Sequence, residues 1–249
     1  MGGKLYVVGI GPGRPEEMTL RAREVLSRAD AVVGYETYVR LAEPVIRPDA
    51  EVISSGMGGE RGRVRAALKL ASEGRVVALI SSGDPGVYGL ASLAIALNVL
   101  EGYGVDIEVV PGVTAALAAA SLLGAPLNND FAVISLSDYL IPWEEIEEEL
   151  RALAPNKLPL AIYNPSSSRR VGKFVRAMEI LKEVRGPDTL VGVVRNAYRE
   201  GQEVRVVRLA DLRPEDVDMD TILIVGSSRT KLVGGKLITV RGYGEERLV

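Results

Sequence analysis

The 249-residue chain contains no cysteine and no histidine. Without thiols there are no disulfides, thiolate nucleophiles or Fe–S ligands. Without imidazole as well, the usual zinc sites and Ser-His-Asp chemistry are excluded. Glutamine occurs once, at Gln202, in a chain rich in Glu and Arg. That bias is common in proteins of hot-adapted organisms. No apolar run is long enough to span a bilayer. Met-Gly-Gly-Lys leads straight into an apolar segment without the build of a signal peptide, and Tyr6 stands where a myristoylation signal needs Ser or Thr. The formal net charge is −3 and the sequence pI about 5.3, so no broad basic field is available for a phosphate backbone. Neither nucleic acid nor membrane is an expected partner, and the expected location is the cytoplasm.

What remains is 47% hydrophobic and 25% charged, the profile of a globular chain forming one large or two small domains. Two segments stand out. Leu5-Tyr6-Val7-Val8 runs into Gly9-Ile10-Gly11-Pro12-Gly13, and a second apolar run enters Ser81-Ser82-Gly83-Asp84-Pro85-Gly86. Each reads as a buried strand breaking into a glycine turn. Two such turns in one parallel sheet expose backbone N–H groups to a small nucleoside-type ligand. A dinucleotide fits poorly. Arg14 occupies the third glycine position of G-x-G-x-x-G, Pro12 and Pro15 remove N–H groups, and Asp30 precedes the second apolar run instead of following it. The plainer reading is that Gly11 and Gly13 only permit a sharp strand-to-helix turn.

The first half alternates strands and helices. Strands are expected at Leu5–Val8, Ala31–Val33, Val76–Ile80 and Ile107–Val110, and helices at Leu20–Ser27, Glu60–Ser72, Val87–Leu100 and Thr114–Leu123. This implies a parallel sheet covered on both faces. The turn-rich stretch Gly124–Asp130 is taken as the boundary, giving domains 1–124 and 125–249. The second half predicts strands at Phe131–Leu136, Leu158–Tyr163, Leu190–Val194, Glu203–Arg208 and Thr221–Val225. Helices are expected at Trp143–Ala154 and Arg170–Val184. A hairpin at 190–208 makes this sheet mixed.

Several segments together carry a family likeness. They are Gly9-Ile10-Gly11-Pro12-Gly13, Val33-Gly34-Tyr35, Gly56-Met57-Gly58-Gly59-Glu60-Arg61, Ser82-Gly83-Asp84-Pro85-Gly86-Val87-Tyr88 and Val110-Pro111-Gly112-Val113-Thr114-Ala115-Ala116. Tyr163-Asn164-Pro165-Ser166, Val194-Arg195-Asn196-Ala197 and Val217-Asp218-Met219-Asp220-Thr221 follow. The chain resembles the tetrapyrrole methyltransferases, and within them the precorrin-3B and cobalt-factor III C17-methyltransferases of corrin biosynthesis. The likeness implies two α/β domains, the cofactor S-adenosylmethionine in the cleft between them, and a homodimer. It implies cofactor roles for Pro12, Ser82, Gly83, Asp84, Val87, Thr114 and Ala115, and for Asn164, Ala197 and Thr221. The reaction it implies is methylation at C17 of a tetrapyrrole with contraction of the ring. Other tetrapyrrole carbons are the alternative, and an NAD-dependent oxidoreductase is a weaker one.

The residue chemistry is compatible. Asp84 in its glycine turn can meet an ammonium or simply close an Asx turn. Thr114 can serve a ligand or act as a plain N-cap. Methyl transfer from sulfonium to carbon needs alignment more than acid–base power, and no catalytic base is assigned. A substrate with many carboxylates calls for cationic forks in an apolar cleft. Arg61 and Arg195 are the substrate-binding candidates. Arg169 and Arg170 share the family-like segments, and for Arg61, Arg169 and Arg170 an ordinary solvated surface is the plainer reading. No protein-bound metal is expected, and any cobalt would belong to the substrate.

Overall fold

The structure, a computed structural model, describes residues 3–155 and 157–244. These fall into two compact units that divide between Ala115 and Ala116.

In the first unit the order is β1 Lys4–Gly9, α1 Leu20–Leu26, β2 Ala31–Tyr35, α2 Glu36–Ala42, β3 Glu51–Ser55, α3 Glu60–Ser72, β4 Val76–Ser81, α4 Ala91–Leu100 and β5 Asp106–Val110. The strands form one sheet in the order β3-β2-β4-β1-β5, and every pairing is parallel. Successive strand residues face opposite sides, so a run apolar throughout supplies both faces. Leu5, Val7, Val33, Val77 and Leu79 join Val64 and Leu68 of α3 and Ala94 and Leu97 of α4. Val8, Val32, Ala78 and Ile80 join Ala22, Val25 and Leu26 of α1 and Ala42 of α2. Thr19 caps α1, its hydroxyl accepting the Ala22 N–H at 3.1 Å.

Two elements named above for the first unit, β3 and α2, went unpredicted. β3 is an edge strand with no fully buried residue, so its apolar signal is weak. α2 follows β2 directly, with no turn residue to announce it. The helix expected from Val87 starts only at Ala91. Residues 85–90 make a tight turn in which the Ala91 N–H donates to the Pro85 carbonyl, and a Cβ on Gly89 would lie 2.6 Å from that oxygen.

The second unit holds α5 (Ala115–Leu123) from its second residue on. It continues through β6 Gly124–Ala125, β7 Ala132–Ser135, α6 Trp143–Leu153, β8 Leu160–Tyr163, α7 Val171–Arg185, β9 Leu190–Arg195, β10 Glu203–Arg208, β11 Thr221–Val225, β12 Thr230–Val233 and β13 Lys236–Thr239. The main sheet runs β10-β9-β11-β8-β7. Only β7 and β8 pair in parallel, and β9–β10, β9–β11 and β8–β11 are antiparallel. The sheet is mixed, as the hairpin implied. Phe174, Met178 and Leu181 of α7 and Ile146 and Leu150 of α6 pack on Ile134, Leu160, Ile162, Val193 and Leu223.

The division falls earlier than the expected 124/125 boundary, for two reasons. Gly124–Ala125 is a strand, paired with Leu237–Ile238 of β13. α5 lies against β9, where a Cβ on Gly192 would sit 2.4 Å from a Leu123 methyl group. Glycine at 192 is what admits the helix so close to the sheet.

Candidate functional site

In the first unit the two glycine turns meet. Gly11 and Gly83 exchange backbone hydrogen bonds, Gly11 N–H to Gly83 at 3.1 Å and Gly83 N–H to Gly11 at 2.8 Å. Both residues have positive φ, +71° and +64°, which glycine adopts at little cost. A third glycine, Gly112, closes the crossing from the loop after β5. A Cβ there would lie 2.1 Å from the Gly83 carbonyl oxygen, and one on Gly9 would lie 2.8 Å from Gly112 nitrogen. Three loops at the C-terminal edge of a parallel sheet therefore touch backbone to backbone. That edge is where open α/β sheets bind ligands.

Asp84 is the pin. Its Oδ1 accepts the Gly86 N–H at 2.8 Å, an Asx turn. Its Oδ2 accepts the Gly112 N–H at 3.0 Å. The sequence offered an ammonium contact or an Asx turn for Asp84. The geometry adds a third, a cross-loop tie that leaves lone pairs on each oxygen for further donors. Thr114 Cα lies 3.4 Å from the position a Gly83 Cβ would take, and Ala115 nitrogen 3.7 Å from it. Gly83, Asp84, Thr114 and Ala115 thus share one locality, at the start of α5. Pro12 is buried beside Gly11, while Ser82 and Val87 are half-buried in the second turn. Tyr88 ends that turn at φ +53°, with its ring exposed. A non-glycine residue in the left-handed region is under strain, and such residues cluster at functional sites.

In the second unit the remaining candidates gather at one sheet edge. The antiparallel register sets Thr221 opposite Arg195, and β7 and β8 end together, with Ser135 opposite Tyr163. Asn164, Asn196 and Tyr198 all hold positive φ, at +50°, +49° and +58°. The Asn164 amide donates to Ser135 Oγ at 3.0 Å. Thr221 donates its hydroxyl to Asp218 Oδ1 at 2.7 Å. Ala197 is half-buried in the turn between Asn196 and Tyr198. Tyr163, quoted only as part of a motif, accepts the Ala116 N–H at 2.9 Å through its hydroxyl, close to the start of α5.

The arginines divide sharply. Arg61 is exposed on the first turn of α3. Arg195 is 44% exposed, its Nε 2.8 Å from Asp218 Oδ2 and its Nη1 3.7 Å from Glu203. Arg169 is exposed, as its plainer reading held, whereas Arg170 is 8% exposed and is no surface residue. Burial pulls the Arg170 guanidinium below its ordinary range, opposed by Asp138 nearby. Arg63 was missed altogether. It is 6% exposed and donates from Nη1 to Ser55 Oγ at 2.9 Å and to the Gly56 carbonyl at 2.8 Å, fixing the loop before α3. Spacing on α3 could have marked it as inward-facing, but its charge disguised it.

In the first unit's second glycine turn and at the start of α5, the polar groups are backbone N–H groups, the Ser82 and Thr114 hydroxyls and the Asp84 carboxylate. That suits a zwitterionic ligand with ribose and amino-acid ends. Residues 4–213 match the model for tetrapyrrole (corrin/porphyrin) methylases. The chain belongs to that family. It is 46% identical over 246 residues to a probable cobalt-factor III C(17)-methyltransferase of Methanocaldococcus jannaschii, covering 96% of this chain and 97% of that one. It is 52% identical over 244 residues to the cobalamin biosynthesis protein CbiHC of Archaeoglobus fulgidus, and 44% identical over 247 residues to a cobalt-factor III methyltransferase of Priestia megaterium. The chain spans 54% and 46% of those two proteins' lengths, respectively.

Among solved structures, the methyltransferase CobJ superposes with a TM-score of 0.90 at 40% identity, covering 96% of this chain and all of that one. A uroporphyrin-III C-methyltransferase from Thermus thermophilus, complexed with S-adenosylhomocysteine, gives 0.70 at 27% identity over 90% of this chain and 97% of that one. The parallel first sheet and mixed second sheet are the fold of this family, and its methyl donor is S-adenosylmethionine.

Proposed function

We propose that this chain methylates C17 of a corrin precursor, cobalt-factor III or precorrin-3B, with contraction of the macrocycle, in cobalamin biosynthesis. The observation that carries this reading is the full-length similarity to the Methanocaldococcus protein named for that reaction. S-adenosylmethionine, when bound, supplies a methyl group on a sulfonium that moves in line to carbon and leaves S-adenosylhomocysteine. In the first unit, Pro12, Ser82, Gly83, Asp84, Val87, Thr114 and Ala115 take cofactor roles. Asp84 serves the ligand's ammonium, and the glycine crossing allows close backbone contact. In the second unit, Asn164, Ala197 and Thr221 take cofactor roles. Arg61 and Arg195 attract the substrate's carboxylates. The chain's task is alignment and exclusion of water rather than proton transfer.

The working form is a homodimer in the cytoplasm. Among the described residues no helix is long and apolar enough to cross a membrane. Anaerobic and aerobic assays with cobalt-factor III and precorrin-3B in parallel test the reaction. A C17-methylated product from either supports it, and turnover of only a different ring carbon replaces it. Light scattering that reports a monomer at assay concentration removes the dimer.

A further inference from the structure

The mechanism leaves Arg170 unused, yet its guanidinium joins more segments of the second unit's site edge than any other residue described above. Nη1 donates to the Leu136 carbonyl at 2.8 Å and to the Asn164 carbonyl at 2.9 Å. Nε donates to Ser167 Oγ at 3.1 Å and lies 3.9 Å from Asp138 Oδ1. Nη2 reaches Met219 Sδ at 2.7 Å. These partners sit on the loop after β7, the loop after β8, and the turn that leads into β11. Two of those loops carry cofactor candidates, Asn164 itself and Thr221, which follows Met219 by two residues.

We propose that Arg170 is a positioning residue for the cofactor site, locking Asn164 and the 218–221 turn in one arrangement through a single buried guanidinium. The inference rests on the reading that Asn164 and Thr221 serve S-adenosylmethionine. Asn164 holds φ +50°, a conformation that persists only where surrounding bonds over-determine it. Arg170 takes its carbonyl, and Ser135 takes its side-chain amide. Only a planar fork with donors spread over both edges can meet these partners together. A lysine ammonium is one point and reaches a subset of them.

A half-buried arginine in the same unit provides the control. Arg185 donates to the carbonyls of Ala154 at 3.0 Å, Leu153 at 3.3 Å and Gly226 at 3.0 Å. Gly226 follows the C-terminal end of β11, whereas Thr221 begins that strand, so Arg185 serves the opposite sheet edge.

The test compares Arg170→Lys and Arg185→Lys by thermal unfolding and by calorimetric titration with S-adenosylhomocysteine. Both variants should melt lower than the parent. Arg170→Lys should bind S-adenosylhomocysteine at least about tenfold more weakly, the scale of effect when a supporting shell loosens. Arg185→Lys should bind as the parent does. Arg170→Lys binding normally, or both variants losing affinity in proportion to their loss of melting temperature, overturns the proposal. A parent protein that fails to bind S-adenosylhomocysteine refutes the cofactor assignment instead. If Arg170→Lys does not fold, Ser167→Ala and Met219→Leu each remove one Arg170 partner. Weaker S-adenosylhomocysteine binding in both supports the proposal, and unchanged binding in both overturns it.

Discussion

Asp84 Oδ2 accepts the backbone N–H of Gly112 at 3.0 Å across 28 residues of sequence. That bond ties the loop after β4 to the loop after β5, beside the Gly11–Gly83 pair. Asp84→Ala removes the acceptor for this N–H and for that of Gly86. Each lost bond costs about 1–3 kcal/mol where the donor stays dry. The melting temperature should fall and S-adenosylhomocysteine binding should be lost. Normal binding by a destabilised Asp84→Ala would assign the carboxylate to loop structure alone.

Gly83 and Gly112 should respond differently to alanine. At Gly83 the added methyl meets its nearest neighbour at 3.4 Å, so the main penalty is the φ of +64°, about 1–2 kcal/mol. The variant should fold and lose cofactor affinity. At Gly112 the methyl would sit 2.1 Å from the Gly83 carbonyl oxygen, a backbone atom with nowhere to move. Overpacking of that kind costs about 1–3 kcal/mol or more. Denaturant midpoints should rank Gly112→Ala below Gly83→Ala, and the reverse order would show that the crossing has room for a methyl group.

Arg195→Ala should change stability little, because its pairs with Asp218 and Glu203 are half-exposed, and such pairs contribute about 0–1 kcal/mol. Its effect should appear in the tetrapyrrole KM, which should rise and lose much of its dependence on salt as one cationic contact disappears. S-adenosylhomocysteine affinity should stay the same. An unchanged KM with the parent's salt dependence would place substrate recognition elsewhere.

Stability should be flat from about pH 6 to 8, since no imidazole or thiol titrates there. Acid loss should follow the ion-paired carboxylates. Lys173 holds Asp138 below its ordinary 3.8, Lys4 and Arg21 hold Glu108 below 4.5, and Arg151 and Arg176 do the same for Glu147. A carboxylate whose folded pKa is depressed stabilises the fold fully above its unfolded value. That contribution is lost as pH falls through the folded value. Melting temperature should therefore begin to drop below about pH 4.5. A step between pH 6 and 8 would contradict the assignment.

Local rules carried much of this molecule. Positive φ at Gly11 and Gly83 belongs to glycine because other residues clash there. The continuous apolar runs of β1, β2 and β4 announced strands buried on both faces, and the hairpin at β9 and β10 announced a mixed second sheet. The motif segments carried the family. Each of these signals is contained within a short stretch of sequence.

What the tertiary structure alone decided depends on partners far apart in the chain. Asp84 is a cross-loop tie only because Gly112 arrives beside it. The second unit begins at α5 because Leu123 lies on Gly192 and β6 pairs with β13. Arg169 and Arg170 are chemically identical in sequence, yet one is exposed and the other is buried. Arg170 becomes a hub through a carbonyl 34 residues before it and a methionine 49 residues after it. Composition and periodicity carry no record of such pairings, because a buried charge is stabilised only by the acceptors that folding brings around it.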